Sequence, residues 1–415
     1  MADVRPFKGI TYSDKVRIEE VVAPPYDVIN EKMQETLYSK SPYNIVRLIL
    51  GKTFKEDSEA DNRYTRARNF LNRWLEEGIF KETDKEYFFL YQQQFEVEGK
   101  SFTRRAILAR VRLEEFEKKV IIPHEKTLSA PKKDRLKLMK ATRCNLSPVF
   151  GIVLEEGEIY KTITEAPANK LFSFTDENGV IHSLFTIDPA LNEKIQRLFS
   201  DKQILIADGH HRYETALNYK KEMERENPNH TGEEPYNFVM MAVVSSKDEG
   251  LVVLPIHRAV KNITDSESES AIREIKERYG EVRPLSEPES VNSELQKSGK
   301  RHFAVIHQKG DSGFIFKIED SSERLDVEVL HDEVIKKIIG VTDKELEEKT
   351  KIDYFKSIKE ALEHLKSGKA KLILSYNPPS VEEIAEVSLK NRKMPQKSTY
   401  FYPKFFSGLV IYKLD

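Results

Sequence analysis

Two short strings hold the residue types that phosphoryl chemistry requires. The first is Ala207-Asp208-Gly209-His210-His211-Arg212, which comes after the apolar run Ile204-Leu205-Ile206 and precedes a long stretch of helical character. Gly209 permits a turn with positive φ. A helix beginning near Arg212 or Tyr213 offers unbonded backbone N–H groups to an anion. Arg212 adds a bidentate fork, and His210 and His211 can donate to phosphate or bind metal. Asp208 can hold Mg²⁺ or anchor a histidine. The blander alternative is that Asp208 caps the helix while the histidines pack or face solvent. Two adjacent histidines beside an arginine at a strand-to-helix turn weigh against it.

The second string is Pro123-His124-Glu125-Lys126-Thr127, with Lys132, Lys133, Asp134, Arg135, Lys140, Arg143, Asn145 and Ser147 downstream. Activating a hydroxyl beside a polyanion needs a carboxylate to receive the proton and cations to hold phosphate oxygens. Glu125 suits the first task, with His124 beside it as a second catalytic candidate. Arg135 and Arg143 suit the other. Lys132, Lys133 and Lys140 read individually as a solvated helical face. A third region, Met394 to Lys404, sets Lys397, Ser398 and Thr399 beside three aromatics in a loop, where they are candidates for phosphate contact. An apolar anchor for the next strand explains the same aromatics equally well. Tyr26 and Asp27, after Pro24-Pro25, are candidates for substrate contact together with Thr127, and His257-Arg258 reads more simply as structural. No GxxxxGK[ST], no GxGxxG after a strand, no HExxH and no paired CxxC is present. With 17 glycines in the chain, a phosphate site must lean on basic side chains and a helix N-terminus.

The elements that position these residues can be read from hydrophobic period. Residues 202–226 read as a buried strand, a glycine turn and a long helix. Residues 121–154 read as a basic helix between prolines, ending in a buried strand. Residues 86–97 and 101–113 read as two strands of a hairpin joined by Glu98-Gly99-Lys100. A helix is expected over 61–77, a strand over 41–50, and a second hairpin around Lys247-Asp248-Glu249-Gly250. Residues 227–235 are polar and turn-rich, which places a boundary there. Beyond it, helices (266–279, 328–339, 354–366, 380–390) alternate with short strands (302–307, 313–318, 371–376, 408–413). The expected fold class is therefore mixed α/β. The expected division is a catalytic region over 1–230 and a mixed α/β region over 236–415 that contributes a site loop near 394–404.

The chain has 415 residues, enough for two to three domains. Lys plus Arg total 67 against 69 for Asp plus Glu, a net charge of -2. That balance argues against a nucleic-acid coat or a membrane-binding surface while leaving room for a local basic pocket. The single cysteine, Cys144, rules out an intramolecular disulfide and a cysteine-built metal site, so the expected metal is oxygen-bound Mg²⁺. The N-terminal residues have no apolar signal core, and the expected location is the cytoplasm.

With both strings in view, the chain resembles the ParB and sulfiredoxin superfamily, in which a glycine turn before a helix holds nucleotide phosphates. It resembles more closely the free serine kinase branch of that superfamily, where a Pro-His-Glu string lies upstream of Asp-Gly-His-His-Arg. The strings MADVRPFKG, VVAPPYDVI, PHEKT, ADGHHRYETAL and MPQKSTYFYPK also stand in the order shared by a large bacterial family of about this length. The resemblance implies a ParB/sulfiredoxin-like phosphate-binding core with large mixed α/β additions. It further implies a pyrophosphate-dependent serine kinase acting on small molecules, with Glu125 as the catalytic carboxylate and residues 208–212 as the phosphate and metal turn. An ATP- or ADP-dependent serine kinase, or a ParB-like nucleotide-binding protein associated with DNA, are the alternatives. The near-zero net charge and the absence of a helix-turn-helix with a basic recognition helix count against the last.

Overall fold

The protein is described by a computed structural model covering residues 1–125, 129–280, 283–307, 312–390, 392, 394–395 and 397–415, with side chains from 131 onward in the helix that begins at 129. The fold is mixed α/β and divides into two compact units. The first comprises Met1–Val252 together with Pro403–Asp415; the second is Val253–Tyr402. Among the described residues no helix is long and apolar enough to cross a membrane.

The first unit is built on a nine-stranded sheet. Its strands in chain order are β1 (Val4–Arg5), β2 (Phe89–Val97), β3 (Lys100–Arg112), β4 (Ile121–Ile122), β5 (Val149–Val153), β6 (Ala168–Thr175), β7 (Ile181–Ile187), β8 (Ile204–Asp208) and β9 (Phe238–Ser245). Their order across the sheet is β4, β8, β5, β9, β3, β2, β7, β6, with β1 pairing to β3. The strands β5, β8 and β9 are almost continuous apolar runs and are buried along their length, as strands covered on both faces must be. The hairpin β2–β3 forms as expected, its turn made by Glu98 and Gly99 in positive φ. Two helices cover the site end: α1 (Ser129–Thr142) and α2 (His210–Glu226). Lys132 of α1 pairs with Glu214 of α2 at 2.6 Å.

The helix expected over 61–77 forms at Arg63–Glu76, opened by an Asn62 capping box and burying Trp74 completely. Two other expectations are corrected. Residues 41–50 do not form a strand: Asn44 accepts a hydrogen bond from the N–H of Val46, and Val46–Ile49 is a single helical turn. A short apolar run carries no period that separates the two states. The hairpin around residues 247–250 does not form either. Val252–Leu254 pairs instead with Tyr400–Tyr402, while Asp248 folds the turn back to accept from the N–H groups of Gly250 and Arg105. The polar stretch 227–235 lies within the first unit.

The second unit carries a six-stranded antiparallel sheet in the order Arg283–Pro284, Ser312–Lys317, His302–His307, Leu372–Tyr376, His257–Val260, Ile352–Phe355. Ala259, Ala304, Ile306, Ile315 and Ile373 of these strands pack against Leu362 and Leu365 of the helix Ile358–Lys366. Two histidines are buried in this unit. His257 is fully buried with Nδ1 2.7 Å from Ser375 Oγ, and His331 lies against the Arg258 guanidinium. Burial, reinforced by Arg258, pushes His257 down to about 4 and His331 down to about 3. An unfolded chain protonates the same groups near pH 6.5. Their contribution to stability is therefore complete above that pH and is lost as pH falls through the folded values, by roughly 1.4 kcal/mol per pH unit for each proton. Hydrogen exchange of the amides in Leu372–Tyr376, corrected for intrinsic rate, is expected to quicken between pH 7 and pH 4. The dependence should be shallower in His257→Gln, and an equal slope in the two proteins would contradict this account.

Candidate active site

A pair of parallel strands brings the two chemical strings together. Ile204 and Leu205 of β8 align with Ile121 and Ile122 of β4, so both strands end at the same edge of the sheet. The segments leaving the two strands meet there, at the carboxyl ends where α/β sheets place their ligands. Three residues past Ile122 stands Glu125; three past Leu205 stands Asp208. The His210 Nδ1 lies 4.0 Å from Glu125 Oε2. The hydrogen positions are set by the partners: the His124 N–H donates to His210 Nε2 at 3.2 Å, so the proton of a neutral His210 sits on Nδ1, facing the carboxylate. His124 itself is fully buried, with Nδ1 2.7 Å from the Ile206 carbonyl and its ring edge-on to His210 at 4.6 Å. In this arrangement it locks the Glu125 segment to β8.

Gly209 makes the turn between β8 and α2 with φ 90° and ψ 27°, a left-handed conformation. A Cβ there would stand 2.9 Å from the Arg212 guanidinium, so glycine serves both the backbone and the approach of Arg212. Arg212 donates to the carbonyl of Pro148, which precedes the antiparallel neighbour β5, and to Asp208 Oδ2 at 3.1 Å. Asp208 Oδ1 is met at 3.1 Å by the Nζ of Lys404. Burial opposes ionisation of Asp208, yet Lys404 and Arg212 outweigh it and hold the carboxyl far below its ordinary range. Sequence reasoning misses Lys404 as a site residue. It reaches β8 from the far end of the chain, and its place in an aromatic loop is the one local sign of a role.

Beside this trio, Arg135 lies 4.0 Å beneath the Tyr26 ring and donates to the Ile49 carbonyl. Tyr26, Arg135 and Arg212 line one cavity, with Asn145 and Ser147 among its other walls. Burial raises the Tyr26 hydroxyl, against the pull of Arg212 and Arg135. Asp27 is exposed next to it, and its charge acts on both Tyr26 and His211. Burial lowers the His211 imidazole below its usual range, against the pull of Glu214 and Glu125, so it is neutral at pH 7.

The remaining candidates have other partners. Arg143 ends α1 in positive φ, and its largely exposed side chain pairs at 3.8 Å with Asp415 and not with the Asp208 cluster. Lys397, Ser398 and Thr399 belong to the second unit, where Arg258 donates to the Lys397 carbonyl at 3.0 Å and Tyr376 to the Ser398 carbonyl at 3.1 Å. Thr127 lies outside the described residues. As a ligand for Mg²⁺, Asp208 does not fit its surroundings: each carboxylate oxygen already faces a cation, and a divalent ion at bonding distance would have to displace both.

The family model described as "Protein of unknown function (DUF1015)" matches residues 4–337. No curated protein matches the chain. Among solved structures, a variant of a free serine kinase in complex with AMP is similar at TM-score 0.36 and 14% identity, over 69% of this chain and 87% of that one. A conserved hypothetical protein from Pyrococcus furiosus gives 0.34 and 15% over 69% and 90%. SbnI from Staphylococcus aureus, with a C-terminal truncation, gives 0.33 and 10% over 72% and 85%.

The turn geometry makes a direct prediction. Gly209→Ala forces a side chain into the left-handed region and against Arg212, and is expected to lower stability by about 1–3 kcal/mol in urea denaturation. An unchanged midpoint would mean that the turn is not constrained as described.

Proposed function

The chain belongs to the DUF1015 family, and for this member we propose phosphoryl transfer from pyrophosphate to the hydroxyl of free L-serine, giving O-phospho-L-serine and phosphate. The observation that carries the reading is the Glu125 carboxylate, aligned with His210 Nδ1 at the mouth of α2, where Asp208 gathers two cations. A carboxylate that receives a proton stands next to a concentration of positive charge and the N-terminal N–H groups of a helix. That combination suits a hydroxyl attacking a phosphorus atom. The motif resemblance in the sequence supports the choice of serine and pyrophosphate.

On this reading the serine hydroxyl oxygen attacks the terminal phosphorus, and the bridging P–O bond breaks as the new one forms. Glu125 takes the hydroxyl proton. His210, with Nδ1–H toward Glu125, orients the carboxylate; His124 fixes His210 in turn. Arg212 and the N–H groups at the start of α2 face the charge that collects on the phosphate oxygens, and Arg135 with Tyr26 walls the adjoining cavity. Phosphoryl transfer demands positioning and charge neutralisation more than covalent chemistry, so this small set is sufficient. Magnesium enters as the counterion of the donor, not as a ligand of Asp208.

Purified protein with serine and magnesium pyrophosphate is expected to yield phosphoserine. Yield only with ATP or ADP reassigns the donor, and no product with any of the three ends the transferase reading. Glu125→Gln is expected to lower kcat by about 10²–10⁴-fold, the usual worth of a general base, while pyrophosphate binding stays near that of the wild type. A kcat close to wild type in that variant removes Glu125 from its role.

A further inference from the structure

We infer that Lys404 is the cation that holds the donor phosphate, that Arg104 and Gln93 are the residues that position it, and that Asp208 is its anchor and not a metal ligand. The inference rests on the transferase reading for the identity of the donor, but its geometry stands within the first unit alone.

Four side chains form a row across one face of the sheet. Gln93 of β2 pairs in register with Arg104 of β3 on one side and with His182 of β7 on the other, and His182 pairs with Phe174 of β6. Residues directly opposite one another in a sheet share a face, so the row is fixed by strand register. The segment 403–406 is bound to it. The Arg104 guanidinium, fully buried, donates to Gln93 Oε1 and to the Pro403 carbonyl, and lies 5.1 Å and 4.3 Å from the rings of Phe150 and Phe405. Gln93 Nε2 donates to the Lys404 carbonyl at 3.0 Å. The carbonyls on both sides of the Lys404 Cα are therefore gripped from the sheet.

The remainder of the row fixes the grip. Tyr91 donates to His182 Nδ1 at 2.6 Å, which leaves the His182 proton on Nε2, 3.3 Å from Asp176 Oδ2. The rings of Phe174 and Phe406 lie 4.7 Å and 4.5 Å from that imidazole. Burying an arginine, a glutamine, a histidine and a tyrosine together on a sheet face costs desolvation that apolar residues would avoid. What the row achieves in exchange is a defined backbone at Lys404.

From that backbone the Lys404 side chain, 15% exposed, reaches Asp208. Asp208 holds Lys404 and Arg212 together beside the N-terminus of α2, where a phosphate would meet both cations. Lysine brings a compact point charge to phosphate, and Arg212 brings a planar fork. A magnesium ion in the same place would crowd positive charge onto positive charge.

Isothermal titration with pyrophosphate is the test, because it reads binding whether or not turnover occurs. Lys404→Met is expected to weaken pyrophosphate binding by about 10- to 150-fold, the worth of one charge-assisted hydrogen bond. Serine binding should stay within about twofold, a change of under half a kcal/mol. Gln93→Leu, which keeps the charge and loses the grip, is expected to raise KM for pyrophosphate and spare KM for serine. Methylammonium should restore pyrophosphate binding to Lys404→Ala. If Lys404→Met does not fold, that rescue and the Gln93→Leu split decide the matter. Wild-type affinity in Lys404→Met, or a Gln93→Leu effect equal for both substrates, would overturn the assignment. Electron paramagnetic resonance with Mn²⁺ alone tests the anchor: stoichiometric Mn²⁺ that is lost in Asp208→Asn would make Asp208 a metal ligand after all. Lys404-dependent pyrophosphate binding without phosphoserine formation would retire the transferase reading and leave this one standing.

Discussion

A parallel pairing of two residues on each strand, Ile121 and Ile122 against Ile204 and Leu205, is the constraint on which the site depends. It sets two sequence-distant strings at one sheet edge with matching offsets, so that a carboxylate and a histidine arrive together. A slip of one residue would turn Ile121 and Ile122 to the opposite faces of the sheet and carry the Glu125 segment out of step with β8. So short a pairing needs reinforcement. His124 supplies it, joined to β8 through the Ile206 carbonyl and to α2 through its own N–H. The histidine next to the carboxylate thus fixes the backbone, and the histidine across from it presents an N–H to the carboxylate.

The local part of the site is legible in the sequence and the long-range part is not. Strand, glycine turn and helix over 204–226 are encoded within a few residues of one another, so Asp208, Gly209 and Arg212 can be placed by spacing alone. Arg135 and Arg143 lie on one basic stretch and look alike as letters. The helix between them separates their fates, turning Arg135 under Tyr26 and Arg143 toward Asp415. Lys404 joins a residue almost two hundred positions earlier through a pairing that no local period reports. A signal does exist: Gln93 interrupts a strand face otherwise made of Phe89, Tyr91, Phe95 and Val97, and a buried polar position within a strand asks what it bonds to.

Polar burial does the same work in each of the two units. In the first, the row through Arg104, Gln93 and His182 ends on backbone carbonyls of one segment and so specifies a path for the chain. In the second, Arg258 likewise donates to the carbonyls of Ile256 and Lys397, with its guanidinium 4.5 Å from the Tyr376 ring. Both guanidinium groups hold main chain, in a setting where apolar packing alone gives a less unique geometry.

The pairing of Val252–Leu254 with Tyr400–Tyr402 has an entropic side. Lys404 must be delivered to β8 by a chain that leaves the first unit at Val252 and rejoins it at Pro403. Were the intervening stretch a loose tether, closing it would cost an amount that grows as the logarithm of its length. With its entering and departing strands clasped side by side, the folded second unit behaves as a short turn, however many residues it contains. Its stability is then part of the effective concentration of Lys404, and loosening the second unit dilutes a charge in the first.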